Sequence, residues 1–165
     1  TTEIYTLSLH DALPILEEAK ETGVLAGYPV VNFKAVLYDG SYHDVDSNEM
    51  SFKLAAHQAF RAGMEKAGPV LLEPIMKVEI VIPDNYLGDV MGDINKRRGR
   101  ILGMDQQADG SQLLIAEAPQ AELFEYAIDL RAMTQGRGNF SMEFVRYEQV
   151  PHEVAQEVIE SSKKE

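Results

Sequence analysis

The sequence predicts an α+β fold whose second half is a ferredoxin-like domain, in which two helices cover one face of a four-stranded antiparallel sheet. Four short segments alternate apolar and polar residues, as half-buried strands do. Two segments with apolar residues at helical spacing follow the first and the third of these strands. Asp109-Gly110 lies between the second and third strands and is a hairpin signal. This order of elements is that of the split βαβ arrangement.

The predicted domain begins after Gly68-Pro69, a chain-breaking pair that marks a domain boundary. Pro74 lies near the start of its first strand, where a missing backbone donor is tolerated. The predicted elements are the strand Leu72 to Pro83, the helix Tyr86 to Arg98, the strands Arg100 to Asp105 and Gln112 to Ala118, the helix Pro119 to Thr134 and the strand Asn139 to Tyr147. A last amphipathic helix, Glu153 to Ser161, is expected after them.

The segment before Gly68 predicts a helix, a strand, a loop and a second helix. The first helix covers Ile15 to Thr22 and is expected to end at Gly23, because glycine is common after helix C-termini. β-branched and aromatic residues from Tyr28 to Tyr38 predict a strand that ends at the turn signal Asp39-Gly40.

Length and composition are those of a globular protein. The chain has 165 residues, of which 45% are apolar and 25% charged, so one domain or two small ones are expected. No membrane-spanning apolar run of ~18 residues is present, and the first fifteen residues lack the pattern of a secretion signal, so a cytoplasmic setting is the expectation. Because there is no cysteine, disulfides, thiolate metal sites and cysteine nucleophiles are excluded.

The net charge of −12 argues against general binding to nucleic acid, because phosphates are neutralised by Lys and Arg. The charge is uneven, however, with a basic cluster of Lys96, Arg97, Arg98 and Arg100. The helix dipole alone favours cations at a helix C-terminus, so capping is one interpretation, although Arg100 already belongs to the next strand. Arg137 follows the second helix between two glycines, in what is expected to be a flexible turn that exposes backbone donors.

The polar loop between the predicted strand Tyr28 to Tyr38 and the helix that precedes Gly68 leaves three interpretations open. His43 with Asp44 and Asp46 would bind a metal only if a further ligand converged from elsewhere. His43 with Asp46 would act as an acid and a base only beside a nucleophile and a substrate pocket, neither of which the sequence indicates. The third interpretation is a tight turn in which Asp39 and Ser41 satisfy backbone groups, while Asp46 or the serine after it caps the helix.

Four segments resemble elongation factor G, in that family's order and spacing. They are Gly-Ser-Tyr-His-Asp-Val-Asp-Ser at 40–47, Leu-Glu-Pro-Ile-Met-Lys-Val-Glu at 72–79, Gly-Asp-Val-Met-Gly-Asp-Ile-Asn-Lys-Arg-Arg-Gly at 88–99, and Thr-Gln-Gly-Arg-Gly at 134–138. The resemblance covers roughly residues 15 to 161.

The resemblance implies a domain organisation. Residues 15–69 would be part of domain IV, a truncated βαβ-type segment of the ribosomal protein S5 domain 2-like kind, and residues 70–151 would be the ferredoxin-like domain V. Residues 152–165 would be a C-terminal helix and tail. Residues 1–14 do not resemble the family and are expected to be a foreign leader.

The resemblance also implies a function. The family promotes GTP-dependent translocation of tRNA and mRNA, and this chain would be a C-terminal ribosome-binding fragment that is monomeric within the full-length factor and has no membrane partner. The GTPase domain is expected to be absent, so no catalytic residue, metal or cofactor is expected here, whereas GTP and magnesium belong to the full-length factor. The implied contacts to tRNA and mRNA at the decoding region come from a tip loop formed by Gly40, Ser41, Tyr42, His43 and Asp44. The implied contacts to ribosomal RNA come from Lys96, Arg97, Arg98, Arg100 and Arg137.

Two other functions remain open at this point. A ribosomal-protection or recycling paralogue of the same GTPase superfamily would have similar C-terminal domains. A stand-alone ferredoxin-like regulatory module would instead bind a small ligand or dimerise through its sheet, since this fold serves many functions.

Overall fold

The structure is a computed structural model that describes residues 14–37, 39–41, 45 and 47–163. These residues form two compact units. The second unit is Leu72–Val150, and the first comprises the described residues before Leu72 together with those from Pro151 onward. Within the described ranges, no helix is long and apolar enough to cross a membrane.

The described residues contain five α-helices and four β-strands. They are α1 (residues 14–19), α2 (Glu49–Ala67), β1 (Leu72–Pro83), α3 (Leu87–Lys96), β2 (Arg100–Gln106), β3 (Ser111–Pro119), α4 (Tyr126–Met133), β4 (Asn139–Gln149) and α5 (His152–Ser162). Short 3-10 turns, Asp84–Tyr86 and Gln120–Leu123, lead into α3 and α4.

The second unit is a four-stranded antiparallel sheet in the order β2-β3-β1-β4. This is the strand order of the split βαβ arrangement, so the predicted α+β fold class is confirmed. All predicted strands and helices of this unit are present, and most of their ends differ from the prediction by a few residues. The helix predicted to begin at Pro119 is the exception, since the chain first forms the 3-10 turn Gln120–Leu123 and α4 begins at Tyr126. The tight turn between β2 and β3 contains Gly110, whose φ of 84° lies in the left-handed region that glycine adopts without strain.

The core of this unit lies between one face of the sheet and the two helices. Alternate residues of the central strand β1 point into it, and Val78, Ile80 and Ile82 are fully buried. The helices contribute Val90, Ile94, Tyr126 and Leu130, and β3 contributes Leu114, Ala116 and Ala118. Burying each large aliphatic side chain stabilises a fold by about 1.5 to 3 kcal/mol, so this single layer of contacts accounts for much of the unit's stability.

The opposite face of the sheet carries a ladder of alternating charge. Arg100, Glu117, Lys77 and Glu143 lie directly opposite one another on β2, β3, β1 and β4. Glu117 accepts two hydrogen bonds from Arg146, at 2.9 and 2.8 Å, and one from Arg100 at 2.8 Å. These charges compensate one another, so this face of the sheet is not a basic surface.

The ladder lowers the pKa of Glu117. Hydrogen bonds from Arg146, and secondarily from Arg100, hold this pKa at about 2, well below its ordinary value of 4.5. The side chain of Glu117 is only 11% exposed, whereas that of Arg100 is 68% exposed, so solvent screens part of the interaction.

In the first unit, α1 packs against α2. Ile15 and Ala19 of α1 are buried, and Glu18 forms an ion pair with Lys53 of α2 at 2.6 Å. The edge of the Phe33 ring packs on Phe60 of α2, with ring centres 5.4 Å apart.

The predicted strand over Tyr28 to Tyr38 is wrong for the residues that the structure describes, since 28–37 form no strand. A strand requires a neighbouring strand to pair with its backbone groups, and no described residue of this unit is in a strand. The chain instead turns back, with the Val30 N–H donating to the Lys20 carbonyl. The apolar side chains that suggested a strand remain largely exposed, with Tyr28, Val31, Val36 and Leu37 each more than half accessible.

The helix ends of this unit also differ from the prediction. The first helix ends at residue 19 rather than Thr22. Gly23 is needed for a different reason, since a Cβ there would lie 2.6 Å from the Tyr28 carbonyl oxygen. α2 is capped by Asn48, whose Oδ1 accepts from the Ser51 N–H at 2.9 Å, so the helix begins one or two residues later than the caps predicted at 46 or 47 imply. It ends at Ala67, directly before the breaker Gly68-Pro69.

The charge ladder predicts a specific pH dependence of stability. Because folding lowers the pKa of Glu117, its contribution is fully present above about pH 4.5 and is lost as the pH falls toward 2. We expect the free energy of unfolding, measured with urea and circular dichroism, to fall over this range by about 1 to 2 kcal/mol more in the parent chain than in Glu117→Gln.

Glu125→Gln provides the control, because this exposed carboxylate has no side-chain partner among the described residues. Its free energy of unfolding should change with pH as that of the parent chain does. If the free energy of unfolding falls equally with pH in the parent chain and in Glu117→Gln, the lowered pKa of Glu117 does not contribute to stability as expected.

Candidate nucleic-acid interface

The predicted tip loop is described only in part. Gly40 and Ser41 are exposed, and the Gly40 N–H donates to Asp39 Oδ1 at 2.8 Å, so Asp39 satisfies a local backbone group. Tyr42, His43 and Asp44 lie outside the described residues, as does Asp46, and their predicted roles stay predictions. Across the part of the chain that is described, no cluster of His, Asp or Glu side chains could hold a metal ion.

The predicted basic cluster begins at the C-terminus of α3, which closes with a Schellman motif. The Gly99 N–H donates to the Ile94 carbonyl at 2.9 Å, and the Arg98 N–H donates to the Asn95 carbonyl at 3.2 Å. Arg98 has a φ of 57°, in the left-handed region where such motifs usually place glycine. Gly99 is required by close packing, since a Cβ there would lie 2.6 Å from Ile94 Cγ2 and 2.7 Å from the Ile94 carbonyl oxygen.

Arg98 joins three elements through its side chain. Its two Nη atoms donate to the carboxylate of Glu73 on β1, at 2.8 and 2.9 Å, and its Nε donates to Glu122 before α4, at 2.9 Å. The side chains of Arg98 and Glu73 are 26% and 11% exposed, and their hydrogen bonds raise the pKa of the guanidinium. Charge-assisted hydrogen bonds of this kind contribute about 1.5 to 3 kcal/mol, which offsets the strain of a left-handed arginine.

The side chain of Arg97 is also hydrogen-bonded to other residues of this unit. It donates to Asp93 one turn earlier at 2.7 Å, to the Glu122 carbonyl at 2.8 Å and to Asp129 on α4. Its guanidinium carbon also lies 5.1 Å from the centre of the Tyr126 ring, within cation–π range. Two of the five predicted RNA-contact cations are therefore bound within the protein itself.

Lys96 and Arg100 are the accessible members of the basic cluster. Lys96 is exposed and has no hydrogen-bond or ion-pair partner among the described residues. Arg100 makes one hydrogen bond, to Glu117, and the rest of its side chain is open to solvent. Both can reach a phosphate without breaking the fold.

Arg137 lies in the turn after α4, and that turn is not the flexible donor-exposing loop that the sequence predicted. The Gly136, Arg137 and Gly138 N–H groups donate to the Arg131 carbonyl, the Thr134 carbonyl and Thr134 Oγ1, at 2.8, 3.1 and 2.8 Å. Thr134 is fully buried, and its hydroxyl donates in turn to the Leu130 carbonyl at 2.6 Å. The backbone donors are thus used internally, which leaves the Arg137 side chain as the group that this turn presents.

The accessible cations do not form one patch. Arg97, at the end of α3, contacts the start of α4, whereas Arg137, after the end of α4, contacts Tyr86 before the start of α3. The two helices therefore run in opposite directions, and Lys96 and Arg137 lie at opposite ends of the helix layer. Since α3 has 10 residues, these ends are about 15 Å apart.

Several residues of this surface were not anticipated from the sequence. They are Glu73, Glu122 and Asp129, which bind the two arginines, and Tyr86, which binds Arg137. Their partners lie 24 to 51 positions away along the chain, so no local spacing signals these pairs.

Known protein families cover most of the chain. The family model described as elongation factor G, domain IV matches residues 15–68, and the model described as elongation factor G C-terminus matches residues 70–158. The two matches adjoin at the boundary that the sequence marks with Gly68-Pro69.

A solved structure is similar along nearly the whole chain. It is a crystal structure of a protein from Thermus thermophilus, with a TM-score of 0.84 and 42% sequence identity. The match covers 97% of this chain and 24% of that protein, so this chain spans about a quarter of that protein's length.

The role of Arg98 leads to a testable ranking of variants. Arg98→Ala leaves Glu73 without its partner and keeps a non-glycine residue in the left-handed position, so we expect the free energy of unfolding to fall by about 2 to 3 kcal/mol. Arg98→Gly loses the same ion pairs but relieves the backbone strain, and it should be about 1 kcal/mol more stable than Arg98→Ala.

Urea unfolding followed by circular dichroism measures both variants. Lys96→Ala is the matched control, since it removes a neighbouring cation that binds nothing in the described chain, and it should change stability by less than about 0.5 kcal/mol. If Arg98→Ala is as stable as Lys96→Ala, the claim that the ion pairs of Arg98 stabilise this unit is contradicted.

Proposed function

Because the chain belongs to the elongation factor G family, we propose that it is a ribosome-binding C-terminal part of a factor that promotes translocation of tRNA and mRNA in the cytoplasm. The observation that carries this proposal is the pair of adjoining matches, to domain IV and then to the C-terminus, in one chain. The role is mechanical. GTP and magnesium act elsewhere in the full-length factor, and this chain requires no cofactor.

The geometry of the second unit supports a contact with RNA through a few placed cations. Lys96, Arg100 and Arg137 have N–H donors available for a phosphate. On the sheet face opposite the helices, by contrast, the positive and negative charges compensate one another. The unit carries 8 Lys and Arg residues against 13 Asp and Glu residues, so its overall charge opposes indiscriminate binding to RNA. Docking then depends on shape and on these cations, and ribosomal RNA of the large subunit is the proposed partner.

The first unit is proposed to supply the tip loop, with His43 as its central residue and Gly40, Ser41, Tyr42 and Asp44 around it. In the full-length factor this loop would approach tRNA and mRNA at the decoding region and oppose backward movement of tRNA. The exposure of Gly40 and Ser41 is compatible with that position.

Ribosome binding tests the proposal directly. The chain should sediment with ribosomes at low salt and dissociate as salt is raised, because phosphate contacts release counterions. Replacing Lys96, Arg100 and Arg137 together with Ala should weaken binding and reduce the slope of log K against log salt by about 2 to 3, roughly one for each phosphate contact.

A charge-matched control replaces the exposed cations Arg61, Lys66 and Arg131 with Ala. This variant should keep most of the affinity and the salt slope. Absence of binding at low salt, or tight binding that salt does not affect, would overturn the proposal.

The tip assignment has its own test in the full-length factor. His43→Ala should slow single-round translocation several-fold while GTP hydrolysis on the ribosome is unchanged, because the tip is distant from the GTPase reaction. His152→Ala, an exposed histidine at the start of α5, is the control and should have no effect. An unchanged translocation rate for His43→Ala would rule out the tip assignment.

A further inference from the structure

Arg137 is presented by a rigid turn. Three successive backbone N–H groups of this turn are hydrogen-bonded within the protein. Gly138 packs so closely that a Cβ there would lie 2.8 Å from Thr134 Oγ1 and 3.0 Å from Leu130 Cγ. The backbone of Arg137 is therefore fixed before any partner arrives.

Tyr86 fixes the side chain of Arg137 as well. The Arg137 Nη2 donates to the Tyr86 hydroxyl at 2.5 Å, and the guanidinium carbon lies 5.1 Å from the centre of the Tyr86 ring. Tyr86 is itself buried, with 8% of its surface exposed, because it closes the 3-10 turn that leads into α3. A long arginine side chain that would otherwise sample many rotamers is thus held against an immobile ring.

The anchored guanidinium still has donors to offer. An arginine has five N–H donors, and among the described residues Tyr86 is the side chain that engages Arg137. The turn from Gln135 to Asn139 contains no carboxylate, although the chain has 27 Asp and Glu residues. A planar fork of N–H groups that forms no ion pair with any described residue suits the oxygens of a phosphate.

We infer that Tyr86 is a positioning residue, which holds the Arg137 guanidinium ready for a backbone phosphate of large-subunit ribosomal RNA. This inference rests on the proposed function, because that function supplies the RNA. Tyr86 need not touch the RNA. Its contribution is to remove the entropic cost of ordering Arg137 when the RNA binds.

A double-mutant cycle on the full chain tests the inference, with purified large ribosomal subunits as the probe. Arg137→Ala should weaken binding about tenfold, and Tyr86→Phe, which keeps the ring but loses the hydroxyl, should weaken it about threefold to tenfold. The double variant should bind like Arg137→Ala to within about twofold, because Tyr86 acts only through Arg137.

Two further measurements separate positioning from a general effect on folding. In nuclear magnetic resonance relaxation of the Arg137 Nε–H group, Tyr86→Phe should raise side-chain mobility, while the urea midpoint stays nearly unchanged. Tyr147→Phe, at an exposed tyrosine of β4, is the matched control and should leave both affinity and mobility as in the parent chain.

The outcomes distinguish the inference from the proposed function. If the parent chain does not bind large subunits, both are overturned. If the parent binds but Tyr86→Phe binds equally well, or weakens binding further in the Arg137→Ala background, the inference alone is overturned.

Discussion

The junction around Arg98 holds the ferredoxin-like unit together at one end. A left-handed arginine closes α3, and its side chain reaches the first strand and the turn before the second helix at the same time. Beside it, Arg97 joins α3 to α4 and lies against the ring of Tyr126, whose burial raises the pKa of its hydroxyl. Since α3 and α4 are the two helices of this unit that pack on its sheet, their mutual position depends on these two guanidinium groups as well as on the apolar core.

This use of arginine has a consequence for the surface. Two cations of this acidic chain, Arg97 and Arg98, are hydrogen-bonded to other residues of the unit. The accessible cations therefore lie at opposite ends of the helix layer and do not form a basic patch. Each of the two helices also ends with a non-glycine residue in the left-handed region, Arg98 for α3 and Gln135 for α4. In both turns the backbone N–H groups are hydrogen-bonded within the protein. A partner can therefore be bound there only by side chains, which project from a rigid backbone.

The sequence predicted the second unit well because its signals are local. Alternation along β1, the Asp-Gly turn and the breaker at Gly68-Pro69 each act over a few residues, and they predict elements whose order along the chain is that of the split βαβ arrangement. The segment from 28 to 37 was predicted wrongly, because a strand also needs a neighbour that local composition does not reveal. The candidate site divides in the same way: the basic cluster was visible in the sequence, but the pairing of Arg98 with Glu73, 25 positions away, was not.

The pairing of the first and last strands of the second unit gives it a particular mechanical character. Leu72 and Gln149 lie opposite each other in the sheet, so the chain enters and leaves this unit at one corner. Tension between the two connections would load the β1 and β4 hydrogen bonds one after another, as in a zipper, rather than all together as in shear. A unit connected in this way yields readily when its two ends are pulled apart.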